Sequence, residues 1–276
     1  MAVTHPPCNC HPRLIDPTGE RTGKLNDVGL TMLIDKGIGL VAFEELLQLA
    51  GSYVDFIKLG FGTMALYPPE LLQKKLLLAK KHDVILYPGG TLFELAYQQD
   101  VLMEHLHHLK DIGFEYIEIS DGTIDLPFSE RCKIIREAAK LGFNVITECG
   151  KKADGSCLDI EDLKTTLYSD LECGACFVIV EGRESGENIG IYDKKGDIGI
   201  EFLSAVEKNI PSKIRKHLIW EAPQKNQQIG LIRFWGRNVN IGNIQMDDAI
   251  NLECLRRGLR YDTFPNKRSG TITTTL

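Results

Sequence analysis

Eight short runs of β-branched and aliphatic residues, each parted from the next by a stretch with helical spacing, constrain this chain more than any other feature. The runs are Leu30–Ile34, Val54–Leu59, Val84–Tyr87, Tyr116–Ser120, Asn144–Glu148, Phe177–Glu181, Leu218–Glu221 and Val239–Ile241. Between them, Leu40, Phe43, Leu47 and Ala50 share one helical face, as do Leu102, Leu106 and Leu109, and again Ile134, Ala138 and Leu141. Gly51, Gly113, Gly142 and Gly174 each follow a helical pattern and precede a strand, where a left-handed residue is wanted. Strand and helix in strict alternation predict a parallel sheet with crossover helices. Eight such units in 276 residues fit a closed (β/α)8 TIM barrel, which typically takes about 250. A doubly wound open sheet is disfavoured, because no Gly-rich dinucleotide turn follows the first strand.

No linker interrupts the pattern, so one domain is expected at 29–264, with a flexible leader at 1–28 and a tail at 265–276. Pro6, Pro7, Pro12 and Pro17 crowd the leader and favour that reading over a metal site at Cys8-Asn-Cys10-His11. No apolar run approaches the roughly 18 residues that span a bilayer, and no secretory pattern opens the chain. A net charge of −6 argues against nucleic acid as the partner, although a few local cations suffice for a small anion. Among the eight cysteines, Cys132, Cys149, Cys176 and Cys254 sit inside apolar patterns. They read as reduced thiols of a cytoplasmic protein, and Cys173-Gly-Ala-Cys176 as structural.

Three consecutive strands end alike, in Glu148, Glu181 and Glu221, and the fourth carries Glu118 and Asp121. Barrel enzymes build their sites from the C-terminal ends of several strands. Carboxylates converging there would repel one another without a cation, and oxygen ligands suit a hard divalent ion such as Mg2+. Cations belong to the same level: Lys36 after the first strand, Lys58 on the second, Lys151 and Lys152 after Glu148, and Arg183 after Glu181. Gly89-Gly90-Thr91 opens a helix and offers backbone N–H groups to an anion. Asn240-Ile241-Gly242-Asn243 marks the end of the eighth strand, where barrels often hold phosphate. The glycine-interrupted stretch from Glu181 to Gly190 is either a lid or a solvated loop. His105, His107 and His108 belong to the wet side of a helix, and no Ser-His-Asp, Cys-His or zinc-type pattern is present.

Seven motifs in order carry a more specific resemblance. They are Leu59-Gly-Phe-Gly-Thr63, Tyr87-Pro-Gly-Gly-Thr-Leu-Phe-Glu94, Tyr116-Ile-Glu-Ile-Ser-Asp-Gly-Thr123, Glu148-Cys-Gly-Lys-Lys152, Glu181-Gly-Arg-Glu-Ser-Gly186, Trp220-Glu-Ala-Pro223 and Leu255-Arg-Arg-Gly-Leu-Arg-Tyr-Asp-Thr-Phe264. Together they resemble the phosphosulfolactate synthase family, which also includes plant heat-stress-associated relatives. The resemblance implies a Mg2+-dependent lyase that adds sulfite to phosphoenolpyruvate, forming (2R)-phospho-3-sulfolactate on the way to coenzyme M or sulfolactate. On that reading Glu148, Glu181 and Glu221 hold the metal, with Asp121 in reserve, and Lys151 protonates the enediolate. Lys58, Arg183, Lys36, Asn240 and the Gly89-Gly90-Thr91 turn bind the anionic groups. Two alternatives stay open: an isomerase or aldolase acting on another phosphorylated acid, and a non-catalytic stress protein that keeps the barrel. Because barrels of this type often associate, a homo-oligomer is preferred.

Overall fold

The computed structural model describes residues 10–24, 26–153 and 155–265. Eight parallel strands form one sheet: β1 (Thr31–Asp35), β2 (Phe56–Leu59), β3 (Ile85–Pro88), β4 (Tyr116–Ile119), β5 (Asn144–Cys149), β6 (Ala175–Val180), β7 (Leu218–Glu221) and β8 (Ile241–Gln245). Ladder bonds run through the order β3-β2-β1-β8-β7-β6-β5-β4. The seam between β3 and β4 is bridged by side chains: Tyr87 Oη and the Gly90 N–H both donate to Glu118, at 3.1 and 2.8 Å. The helices are α1 (Leu40–Ala50), α2 (Pro69–Lys81), α3 (Gly90–Gln98), α4 (Leu102–Ile112), α5 (Phe128–Lys140), α6 (Ile160–Cys173), α7 (Ile200–Asn209), α8 (Ser212–Arg215), α9 (Lys225–Trp235) and α10 (Ala249–Arg256). This is the single-domain (β/α)8 barrel that the alternation predicted.

The strand period of two sorts side chains into two cores. Outward residues such as Leu33, Ile57, Ile117, Val145, Val178 and Trp220 pack against the helices. Inward residues Met32, Phe56, Tyr87, Ile146, Ile179 and Ile219 fill the barrel. A side chain at Gly242 would meet Met32 Cε at 2.4 Å, so β8 contributes no bulk to that layer. One step further along each strand, the same inward direction presents Lys58, Glu118, Glu148, Glu181 and Glu221, all buried. Each apolar side chain buried there instead would contribute about 1.5–3 kcal/mol. A top layer given over to charge therefore costs stability, which is the mark of a site rather than a scaffold.

Several local expectations need correcting. The eighth strand begins at Ile241 rather than ending there, which puts Asn240 at the opposite, lower face. There Asn240 Oδ1 accepts from the Leu30 N–H at 3.0 Å and its amide donates to the Lys216 carbonyl at 2.7 Å. Gly51 is right-handed (φ −56°), whereas Gly113, Gly142 and Gly174 do take the left-handed turn. Among the described leader residues, Arg21 is tied to the barrel: it forms a buried ion pair with Glu253 at 3.0 Å and donates to the Gly29 carbonyl. Cys8 and the tail beyond Pro265 lie outside the described residues. No described helix is long and apolar enough to cross a membrane.

The thiols divide differently from the uniform reduced set expected. Cys132 on α5 and Cys173 on α6 form a disulfide, Cα atoms 5.5 Å apart, while Cys149, Cys176 and Cys254 are free. The two helices are also joined by Arg131 and Asp170, whose buried bidentate contact is as short as 2.7 Å. Because the bridge spans 41 residues of sequence, its reduction should lower unfolding stability by about 2–4 kcal/mol. Non-reducing peptide mapping should recover the Cys132–Cys173 pair. Denaturant unfolding that is unchanged by reductant would contradict the prediction.

Candidate active site

The charged top layer opens into a cavity of about 340 Å3 at the C-terminal end of the barrel. Its walls include Lys58, Glu118, Glu148, Lys152, Glu181, Glu221 and Asn243, with the Gly89-Gly90-Thr91 turn at one side and Phe61, Arg183 and Glu184 at the mouth. Lys58 is 6% exposed and stands among carboxylates from three strands. Its Nζ lies 2.8 Å from Glu221, 3.4 Å from Glu118 and 3.6 Å from Glu148. Burial alone would lower the pKa of this ammonium, but Glu118 and Glu221 override it and keep Lys58 protonated.

Lys152 is the second cation inside. Its Nζ is 2.9 Å from Glu148, 3.7 Å from Glu94 and 3.9 Å from Glu181, with the Ser120 hydroxyl at 3.3 Å. Burial opposes its charge too, and the surrounding carboxylates, Glu148 foremost, raise its pKa nonetheless. Lys151 points the other way. It donates to the main-chain carbonyls of Asp121 and Ile124 at 2.7 and 2.9 Å, and its side chain is 48% exposed. A separate cavity between the loops after β4 and β5 is lined by Lys151, Asp121 and Arg131. The local cause is the end of strand alternation. Cys149 faces the outer core, Gly150 turns at φ 129°, and the Lys152 N–H then docks on the Gly122 carbonyl at 3.0 Å.

The carboxylates are not equivalent. Burial pushes Glu118 up to about 7, against the pull of Lys58. Glu148 is held well below the usual range, because Lys152 and Lys58 outweigh its burial. Burial, with Glu148 and Glu221 beside it, raises Glu181 far above that range. Ionised, Glu181 Oε2 is buried without a hydrogen bond, the Lys152 ammonium at 3.9 Å being too far to donate one. Protonated, Glu181 instead donates to Glu148, which is the state its surroundings favour. Asn243 Oδ1 is likewise buried without a donor, while its amide group spans the Arg183 carbonyl at 2.7 Å and Glu221 at 3.3 Å.

The sequence-expected residues thus separate into two groups. Glu148, Glu181, Glu221, Lys58, Arg183, Gly89, Gly90 and Thr91 line one cavity. Lys151, Asp121, Lys36 and Asn240 do not line it: Asp121 is bound by Arg131 at 3.1 Å, and Lys36 pairs with Glu184 at 2.5 Å outside the mouth. Lys152, Glu118 and Asn243 complete the site, together with Ser120 and Glu94 behind Lys152. The stretch after Glu181 is anchored rather than loose. Ile189, Ile191 and Tyr192 are buried, and Tyr192 Oη donates to the Glu221 carbonyl.

A donor set made wholly of oxygen suits a hard cation, and two of the buried acceptors without a hydrogen bond, Glu181 Oε2 and Asn243 Oδ1, belong to cavity residues. Among the described residues no three Asp, Glu, His or Cys side chains are grouped to enclose an ion by themselves. Mg2+ commonly binds through one or two carboxylates, with water and substrate oxygens completing its shell, so the residues present fit it in that manner.

The family model described as (2R)-phospho-3-sulfolactate synthase (ComA) matches residues 19–262. A phosphosulfolactate synthase of Methanocaldococcus jannaschii is 44% identical over 238 residues, covering 86% of this chain and 94% of that protein. One from Methanothermobacter thermautotrophicus is 41% identical over 248 residues, covering 89% and 95%. Among solved structures, the YdjI aldolase from Escherichia coli K12 superposes with a TM-score of 0.52 at 15% identity, covering 84% of this chain and 86% of that one. That likeness concerns the barrel alone. Family model and relatives span almost the whole chain, from the leader through the last helix, and the chain belongs to the phosphosulfolactate synthase family of enzymes.

Proposed function

We propose that this enzyme adds sulfite to phosphoenolpyruvate to give (2R)-phospho-3-sulfolactate, and that Lys152 rather than Lys151 is its proton donor. The carrying observation is the Lys152 ammonium inside the cavity, 2.9 Å from Glu148. In this reaction the sulfur lone pair of sulfite forms a bond to C3. The C2=C3 π electrons move into the carboxylate as an enediolate, and an N–H proton of Lys152 passes to C2 on one face, leaving a neutral amine. No group leaves, so the phosphate ester is retained and atoms and charge balance.

Lys58, Arg183 and the N-terminal turn of α3 would hold the anionic substrates, since two unit charges 4 Å apart repel by about 4 kcal/mol near a protein surface. Glu181 and Asn243 would hold Mg2+, with Glu148 and Glu221 beside them. Bound there, the metal would act as a Lewis acid toward the substrate carboxylate. An aldolase-type Schiff base is disfavoured at Lys58 and Lys152, because each ammonium is kept charged by its carboxylates and a nucleophilic amine must be neutral.

Purified protein incubated with phosphoenolpyruvate, sulfite and Mg2+ should yield a new phosphate ester in 31P NMR that depends on all three. Absence of product with or without metal would overturn the proposal, and a borohydride-trapped adduct would favour the aldolase class.

A further inference from the structure

Glu94 has no place in the chemistry above, yet it is 3% exposed and lies on a helix, α3, rather than at a strand end. Its Oε1 is 2.7 Å from the Ser120 hydroxyl and accepts from the Thr123 N–H at 3.3 Å, while Oε2 accepts from the Thr123 hydroxyl. Ser120 is the hub of this group. Its Oγ also lies 2.7 Å from Glu148, and it accepts from Lys152 Nζ and from the Gly122 N–H, both at 3.3 Å. One hydroxyl has a single proton and two lone pairs, so Ser120 donates to either Glu94 or Glu148 while Lys152 and the Gly122 N–H occupy its lone pairs, which fixes its rotamer. The Lys152 stem runs over Gly122, where an added Cβ would meet Lys152 Cδ at 2.8 Å. Contact is tighter still at Gly90, where a Cβ would meet Ser120 Cβ at 2.4 Å.

We propose that Glu94 is a positioning residue that aims the Lys152 ammonium, by its own carboxylate 3.7 Å away and through Ser120 and the Gly122–Thr123 turn. The proposal rests on the reading of Lys152 as proton donor. A lysine side chain has several rotatable bonds, and delivery to one face of C2 demands that they be frozen. Glu94 clamps both surfaces that Lys152 leans on, the Ser120 hydroxyl and the turn beneath its stem.

Glu94→Ala in the full chain should lower kcat by about 30–100-fold with the KM for phosphoenolpyruvate nearly unchanged, the cost of a misplacement of about 1 Å. The product should also lose stereochemical purity at C2, which a merely destabilised but correctly built enzyme would retain. Glu94→Gln keeps an acceptor for Ser120 and should recover most of kcat. Ser120→Ala should reproduce the loss with Glu94 intact. The proposal is overturned by a normal kcat and a pure (2R) product in Glu94→Ala or Ser120→Ala, by an effect on KM alone, or by a Gln variant no better than Ala. If the wild-type enzyme makes no product, the sulfite reading fails on its own. Crystal structures of wild type and Glu94→Ala then decide the positioning role: Lys152 Nζ displaced by about 1 Å or more from Ser120 supports it, and an unmoved amine overturns it.

Discussion

Lys152→Met should depress formation of phosphosulfolactate by at least about 10³-fold, whereas Lys151→Ala should stay within about threefold of wild type, the span expected when only one of the two transfers a proton. The two lysines are adjacent in sequence, yet their surroundings differ sharply. Lys152 is 24% exposed and faces Glu148, Glu94 and Glu181, while Lys151 is outside, tied to two carbonyls of the loop after β4. Loss of Lys152 also leaves Glu148 without its nearest cation, so an inactive variant needs a control for the fold. Lys152→Arg provides it. A guanidinium keeps the positive charge but does not deprotonate in proteins, and it should support folding without turnover. Thermal unfolding near wild type together with absent 31P product in Lys152→Arg would isolate the proton transfer from the charge. Substantial activity in either Lys152 variant, or a dead Lys151→Ala, would move the acid elsewhere.

The difference between those two lysines shows where sequence stops being informative. Glu148, Glu181 and Glu221 were legible because strand alternation continues up to them: once Ile146, Ile179 and Ile219 face inward, so does the residue two places on. Beyond Cys149 that period ends, and the direction of the next side chains is set by Gly150 and by the docking of Lys152 on Gly122, a residue 30 positions earlier. Asn240 was misplaced for a related reason. The eighth strand reads Ile-Gly-Asn-Ile-Gln, too poor in β-branched residues to outweigh Val239 before it, and the register that fixes it comes from pairing with β1 and β7. Asn243, three residues on, is the one at the cavity. The Cys132–Cys173 pair and the Glu94–Ser120 contact depend on how helices meet each other and the barrel, which no local pattern encodes.

Lys58→Met should cost about 3–5 kcal/mol of unfolding stability, because it strands buried Glu118 and Glu221 and leaves Glu148 with Lys152 alone. A methionine fills the same volume and can lie along Gly89 as the lysine stem does, so packing loss is a minor part of the effect. The penalty should depend on pH, and the direction follows from Glu118. Its folded pKa of about 7 is raised above the ordinary 4.5, so its contribution is fully present below 4.5 and is lost as pH rises through about 7. Removing Lys58 takes away a charge that lowers this value, and it relieves Glu148 of a similar pull. The window therefore widens upward, and the variant should be closer to wild type at pH 5 than at pH 8. Denaturant unfolding at the two pH values measures this directly, and a loss that is equal at both would refute the electrostatic account. Adding Glu221→Gln removes one of the stranded charges and should return about 1–2 kcal/mol, a coupling typical of residues in direct contact. Activity should not return with it, since the double variant still lacks the buried cation proposed to hold the substrate anions. The same four side chains thus serve two ends: the lysine that lets the carboxylates be buried is also, in the proposed reaction, a cation that receives the anionic substrates.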